Sequence, residues 1–126
     1  MALRSLIVDD NARFLSAARA LLEREGVAVV GVASACAEAI QMAGALQPDV
    51  ALVDIDLGDE SGFDVARRLV GAKLSRVVLI SAYPEADFAE LIAASPAVGF
   101  LPKADVSAMR LREVLRRAAD GGNGLG

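Results

Sequence analysis

The chain has no histidine and no tryptophan, and its single cysteine is Cys36. Without histidine, imidazole acid–base catalysis and imidazole metal ligands are both excluded. A lone cysteine excludes an internal disulfide and a four-ligand Cys/His zinc site, and Cys36 reads as a small buried hydrophobe. No apolar run approaches the ~18 residues of a membrane span. The N-terminus, Met-Ala-Leu-Arg-Ser-Leu-Ile-Val-Asp-Asp, turns acidic too early to hold a signal-peptide core. A cytoplasmic location away from membranes is therefore expected. Only 4% of residues are aromatic while 55% are hydrophobic, so the core must be aliphatic. With 13 Lys and Arg against 17 Asp and Glu, a formal net charge of −4, the composition argues against direct nucleic-acid binding, which needs clustered cations, with one weak basic exception near the C-terminus.

A length of 126 residues fits one compact domain, expected over residues 1–120. Short β-branched runs at Leu3 to Val8, Val27 to Val32, Val50 to Val53, Val77 to Ile80 and Val98 to Leu101 predict strands. Their continuous apolar character suits strands buried on both faces. Between them the apolar period lengthens to that of a helix. Phe14, Ala17, Ala18, Leu21 and Leu22 form the first stripe; Ala39, Met42, Ala43 and Leu46 the second; Phe63, Ala66, Leu69 and Val70 the third. Phe88, Leu91 and Ile92 form the fourth, and Leu111, Val114, Leu115 and Ala118 the fifth. Asp105 is placed to cap the last helix, which is expected to run out at Gly121-Gly122. The glycine-rich end, 121–126, reads as a disordered tail or a linker remnant. Strands alternating with helices imply an α/β fold with a parallel sheet and right-handed crossovers.

Ligands of open α/β sheets bind at the C-terminal ends of the strands. Asp9 and Asp10 follow the first strand, Asp54 the third, Ser81 the fourth and Lys103 the fifth. Carboxylates converging on one point repel one another unless a cation sits among them. With only oxygen ligands at hand, that cation is a hard one, Mg²⁺ or Mn²⁺. A carboxylate beside such a cation can attack phosphorus, with the metal, the Ser81 hydroxyl and the Lys103 ammonium balancing charge on the transferred group. Taken singly, the Asp9-Asp10 pair also fits a helix cap, Lys103 a surface lysine and Phe100 a core residue.

Five spaced motifs, Ile7-Val8-Asp9-Asp10-Asn11, Leu52-Val53-Asp54-Ile55-Asp56-Leu57, Gly62-Phe63, Leu79-Ile80-Ser81-Ala82 and Gly99-Phe100-Leu101-Pro102-Lys103, occur in order. Through them the chain resembles a response-regulator receiver domain of two-component signalling, from about Leu3 to Ala119. Its style is that of receivers preceding helix-turn-helix DNA-binding domains. The resemblance implies a flavodoxin-like (βα)5 three-layer sandwich with strand order 2-1-3-4-5. It implies that Asp54 is the phosphoacceptor and that Asp9, Asp10, Asp54 and the backbone carbonyl of Asp56 hold the metal, with Asp10 the more direct of the acidic pair. Ser81 would bond the phosphoryl oxygen, Lys103 would pair with phosphoryl or Asp54 oxygens, and Ser81 with Phe100 would form the switch. Asp56 and Tyr83 would border the path of the hydrolytic water and so tune the phosphoryl lifetime.

The chain departs from the common pattern in three places. Gly58 stands where proline is frequent, which predicts a loosened loop after Asp54. Ser81 replaces threonine and keeps the hydroxyl. Ala104 follows the lysine where proline is frequent. The implied partner is a histidine kinase or phosphotransfer protein, and the implied role is a switch rather than an enzyme. Arg110, Arg112, Arg116 and Arg117 read as a solvated helix face or as half of a homodimer surface. In the second reading the fourth helix, fifth strand and fifth helix form that surface, with Glu85, Asp87 and Glu90 as complement. Two other functions fit parts of the pattern. A haloacid-dehalogenase-like phosphatase would use Asp54 and Asp56, but it would need an acidic pair after Lys103 and a cap domain. A receiver-like scaffold would work without phosphorylation.

Overall fold

The computed structural model describes residues 2–124. In chain order the elements are β1 (Arg4–Val8), α1 (Ala12–Arg24), β2 (Ala28–Ala33), α2 (Cys36–Leu46), β3 (Val50–Asp54), β4 (Asp56–Leu57), β5 (Glu60–Ser61) and α3 (Gly62–Gly71). Then follow β6 (Arg76–Ser81), a 3-10 turn (Glu85–Phe88), α4 (Ala89–Ala94), β7 (Gly99–Pro102), a second 3-10 turn (Lys103–Asp105) and α5 (Ala108–Gly124). Five strands form one parallel sheet in the order β2-β1-β3-β6-β7, while β4 and β5 make a separate antiparallel hairpin. Without the hairpin this is the expected order 2-1-3-4-5, and the fold is the flavodoxin-like α/β sandwich.

Successive strand residues point to opposite faces, and both faces are covered. Leu6, Val8, Ala51, Val53, Val77 and Leu79 pack against α2 and α3, whereas Ile7, Val50, Leu52, Val78 and Ile80 pack against α1 and α5. That is why the strands read as unbroken apolar runs. Each of the Val, Leu and Ile side chains among them contributes about 1.5–3 kcal/mol by leaving water.

Caps fix the helix positions. Asn11 caps α1, its side-chain oxygen accepting from the Arg13 and Phe14 N–H groups at 3.0 and 3.1 Å. The acidic pair before it therefore does not serve as the cap. Asp105, expected to cap the last helix, lies in the second 3-10 turn. Ser107 takes that role, accepting from Arg110 N–H at 3.1 Å, and the Glu25 carboxylate accepts from Ala108 N–H at 2.8 Å. The α5 helix continues through Gly121-Gly122 to Gly124. The tail expected over 121–126 falls partly on this turn and partly on 125–126, which lie outside the described residues.

Two segments differ from expectation. The fourth stripe forms only a 3-10 turn and a six-residue helix, α4, with no buried residue. Leu91 is 56% exposed, so only Phe88 and Ile92 of that stripe touch the core. The segment around Gly58 is not loose: it closes the β4–β5 hairpin, with Gly58 at φ 75° and its N–H donating to Asp56 Oδ1 at 3.0 Å. Leu57 is buried beneath it, and the Glu60 carboxylate accepts from Cys36 N–H at the start of α2, at 2.8 Å.

Candidate phosphoacceptor site

Adjacent parallel strands β1 and β3 pair Val8 with Val53, so the residues after those two pairs emerge side by side. Asp9 and Asp54 are both buried there, and Asp10 is exposed beside them. One carboxylate oxygen from each of the three lies within 4.8 Å of the others. Lys103, one residue past β7, reaches across to this cluster. Its Nζ stands 2.6 Å from Asp9 Oδ2 and 2.9 Å from Asp54 Oδ2.

Backbone groups hold the remaining carboxylate oxygens. Asp9 Oδ1 accepts from Asn11 N–H at 2.9 Å, and Asp54 Oδ1 accepts from Asp56 N–H at 3.0 Å. Asp9 Oδ2 is enclosed, and its partner is the Lys103 ammonium at 2.6 Å. Three converging carboxylates, an all-oxygen donor set, fit a small hard cation held by Asp9, Asp10 and Asp54.

The charges respond to this crowding. Burial pushes the Asp54 carboxyl above its ordinary value, helped by the Asp9 charge and opposed by Lys103 and the Asp56 N–H. For Lys103, burial acts downward, but the contacts with Asp9 and Asp54 outweigh it and the net direction is up. The ammonium therefore stays charged and serves as counter-ion to two carboxylates.

Asp10, Asp54 and Lys103 line a cleft of about 210 Å³ whose wall also includes Asp56, Gly58, Ser81 and Tyr83. Ser81 ends β6, and its Oγ accepts from Tyr83 N–H at 3.0 Å, leaving the hydroxyl proton free to point into the cleft. Tyr83 is 60% exposed at the rim. Phe100 lies apart from the cleft, buried on β7 opposite Leu79 in the cluster that also takes Phe88 and Ile92. No peptide bond among the described residues is cis, so Lys103–Ala104 is trans.

Three participants escape a reading of the motifs. Phe14 presents its ring to Lys103 Nζ at 4.7 Å from the centroid; its place in the α1 stripe marks it as core and nothing more. Glu60 ties the hairpin to α2 through a contact 24 residues distant in sequence, with no local signature. Gly62 belongs to a quoted motif, yet its reason is steric: a Cβ there would meet the Asp54 carbonyl oxygen at 1.9 Å.

A doubly wound parallel sheet with acidic residues converging at the ends of two central strands defines a class of ligand-binding α/β proteins. The chain matches the response regulator receiver domain family over residues 5–116, and it belongs to that family. It is 38% identical over 99 residues to a Pseudomonas aeruginosa protein described as a transcriptional regulator, a match covering 78% of this chain and 48% of that one. It is 31% identical over 112 residues to a protein-glutamate methylesterase/protein-glutamine glutaminase of Alkalilimnicola ehrlichii, covering 85% of this chain and 29% of that one. The chain thus spans about half the length of the first relative and less than a third of the second. Among solved structures, the signal receiver domain of the response regulator NarL from Mycobacterium tuberculosis is similar, with a TM-score of 0.80 and 31% identity, covering 94% of this chain and 97% of that one.

Proposed function

We propose that this chain is the phosphoacceptor receiver of a two-component response regulator, with Asp54 as the residue modified. The observation that carries this reading is the shared ammonium: Lys103 bridges Asp9 and Asp54 inside a three-carboxylate cluster. An Asp54 carboxylate oxygen attacks the phosphorus of a phosphohistidine on a histidine kinase or phosphotransfer protein. The P–N bond breaks, a P–O bond forms, and the departing imidazole recovers a proton. Asp56 N–H and Lys103 orient the attacking carboxylate, and Lys103 with the Ser81 hydroxyl receives the negative charge of the transferred group. Asp9, Asp10, Asp54 and the Asp56 carbonyl would hold Mg²⁺ or Mn²⁺, which supplies neutralising charge at the phosphoryl oxygens.

The switch is a biased two-state equilibrium. New phosphoryl oxygens draw the Ser81 hydroxyl away from Tyr83 N–H, and Phe100 repacks under the 3-10 turn and α4. The support is that this cover buries no residue of its own, so little packing resists its movement. Asp56 and Tyr83, both on the cleft wall, set the phosphoryl lifetime. The changed surface is that of α4, β7 and α5, where Arg112 and Arg116 of one copy face Glu85, Asp87 and Glu90 of another in a homodimer. Arg110 and Arg117 are partly engaged with Glu113 of their own helix.

On this reading the domain works in the cytoplasm as a switch and not as an enzyme, without contacting nucleic acid itself. No helix among the described residues is long and apolar enough to cross a membrane. The test is incubation with acetyl phosphate and Mg²⁺ followed by intact-mass measurement. One phosphoryl group should be added, dependent on metal and absent in Asp54→Ala. Modification that survives Asp54→Ala, or turnover of phosphate esters, overturns the proposal.

A further inference from the structure

Lys103 is held from two sides. Its Nζ bridges Asp9 Oδ2 and Asp54 Oδ2 at 2.6 and 2.9 Å, and it stands 4.7 Å from the centre of the Phe14 ring. The ring itself is well placed for this. Phe14 lies in the first turn of α1, and its own N–H is held by the capping Asn11 side chain at 3.1 Å. The side chain also packs on the core layer between the sheet and the α1 and α5 helices. An ammonium over an aromatic face is attracted by the ring quadrupole, independently of any carboxylate.

That second attachment has a consequence for the cluster. Asp9 and Asp54 are two of the three carboxylates suited to a divalent cation, and they are also the two that Lys103 occupies. Ammonium and metal therefore draw on the same two carboxylates. A ring that steadies the ammonium favours the bridged state and opposes the metal. Once a metal has taken its share of Asp9, the same ring keeps the ammonium beside Asp54 instead of releasing it to water.

We propose that Phe14 is a positioning residue whose ring holds Lys103 over Asp9 and Asp54, weakening divalent-cation binding while speeding phosphoryl transfer to Asp54. The transfer half rests on the function proposed above; the metal half does not. A side chain that only filled space would act otherwise, because loosening the site would weaken metal binding and slow transfer together.

The full chain is compared with Phe14→Leu, Phe14→Tyr and a series with increasingly fluorinated phenylalanine at position 14. Mg²⁺ affinity is measured by calorimetry, and the rate of modification by acetyl phosphate is measured at saturating Mg²⁺. Phe14→Leu should bind Mg²⁺ about two- to fivefold more tightly and react about two- to fivefold more slowly, the size of an exposed cation–π contact. Fluorination should move both quantities the same way in graded steps, and Phe14→Tyr should match the wild type. Parallel losses of affinity and rate, or values unchanged across the series, overturn the inference. A wild type that is never modified removes the phosphoacceptor reading alone, since the Mg²⁺ series still decides whether the ring steadies the ammonium.

Discussion

Gly62 and Asp54 meet backbone to backbone. A Cβ on Gly62 would stand 1.9 Å from the Asp54 carbonyl oxygen and 2.8 Å from Ile55 Cα, and Gly62 N–H donates to Ile55 O at 2.7 Å. The start of α3 is therefore seated directly on the end of β3, with no room for a side chain between them.

Gly62→Ala should cost about 1–3 kcal/mol, since the atom it displaces is backbone and not the end of a flexible side chain. At the far end of the same helix, a Cβ on Gly71 would meet nothing within 4 Å. Gly71→Ala should stabilise by about 0.5–1 kcal/mol through the unfolded chain. Thermal unfolding of the two variants should move in opposite directions, by about 4 °C per kcal/mol.

Ionised Asp54 costs stability in metal-free protein, because burial holds its folded pKa above the ordinary value of 3.8. Its favourable contribution is complete below the unfolded pKa and is lost as pH rises through the folded one. Asp54→Asn should therefore melt higher than wild type at pH 7 in chelator, and the gap should close as pH falls below about 4. Mg²⁺ at about 100 times its dissociation constant should add ~2.7 kcal/mol to the wild type and much less to the variant. Equal melting temperatures in chelator at pH 7 would contradict the assignment.

Glu60 supplies the cap that α2 otherwise lacks, since Ala35 at the cap position has no side-chain bond to offer. Removing it also frees the hairpin that carries Asp56. Glu60→Ala should cost about 1 kcal/mol, and Glu60→Gln less, because an amide oxygen still accepts. Amide exchange at Leu57 and Gly58 should quicken in the alanine variant while the sheet strands stay protected.

The sheet and its site were legible because both write themselves locally. Runs such as Val50 to Val53 are apolar throughout because both faces are buried, and Asp54 stands out as an acid directly after one of them. The hairpin was not legible: Gly58 signals a turn, but the restraint comes from Glu60 reaching Cys36 on another element. The cap of α5 was misplaced by two residues because Asp105 and Ser107 are both good caps, and the 3-10 turn at Lys103–Asp105 decides between them. The α4 stripe overstated its helix because Leu91 finds no partner. Phe14 looked like any other member of its stripe until Lys103 came to rest beside it.

Lys103→Met separates the charge of that residue from its bulk. The change leaves the buried Asp9 carboxylate with its Asn11 N–H bond alone and Asp54 with its Asp56 N–H bond alone. Removing one partner of a buried pair costs about 3–5 kcal/mol in full burial, and Lys103, with 17% of its side chain exposed, should cost about 2 kcal/mol. The wild-type pKa of this lysine is raised above 10.5, so its contribution is complete below that value and is lost only as pH rises through the folded pKa. The deficit of Lys103→Met should thus be flat from pH 6 to 9. Mg²⁺ should erase much of it, because a divalent cation can serve the same two carboxylates. Urea unfolding with and without Mg²⁺ checks both points, and a deficit unchanged by metal would mean that the ammonium and the cation do not share a site.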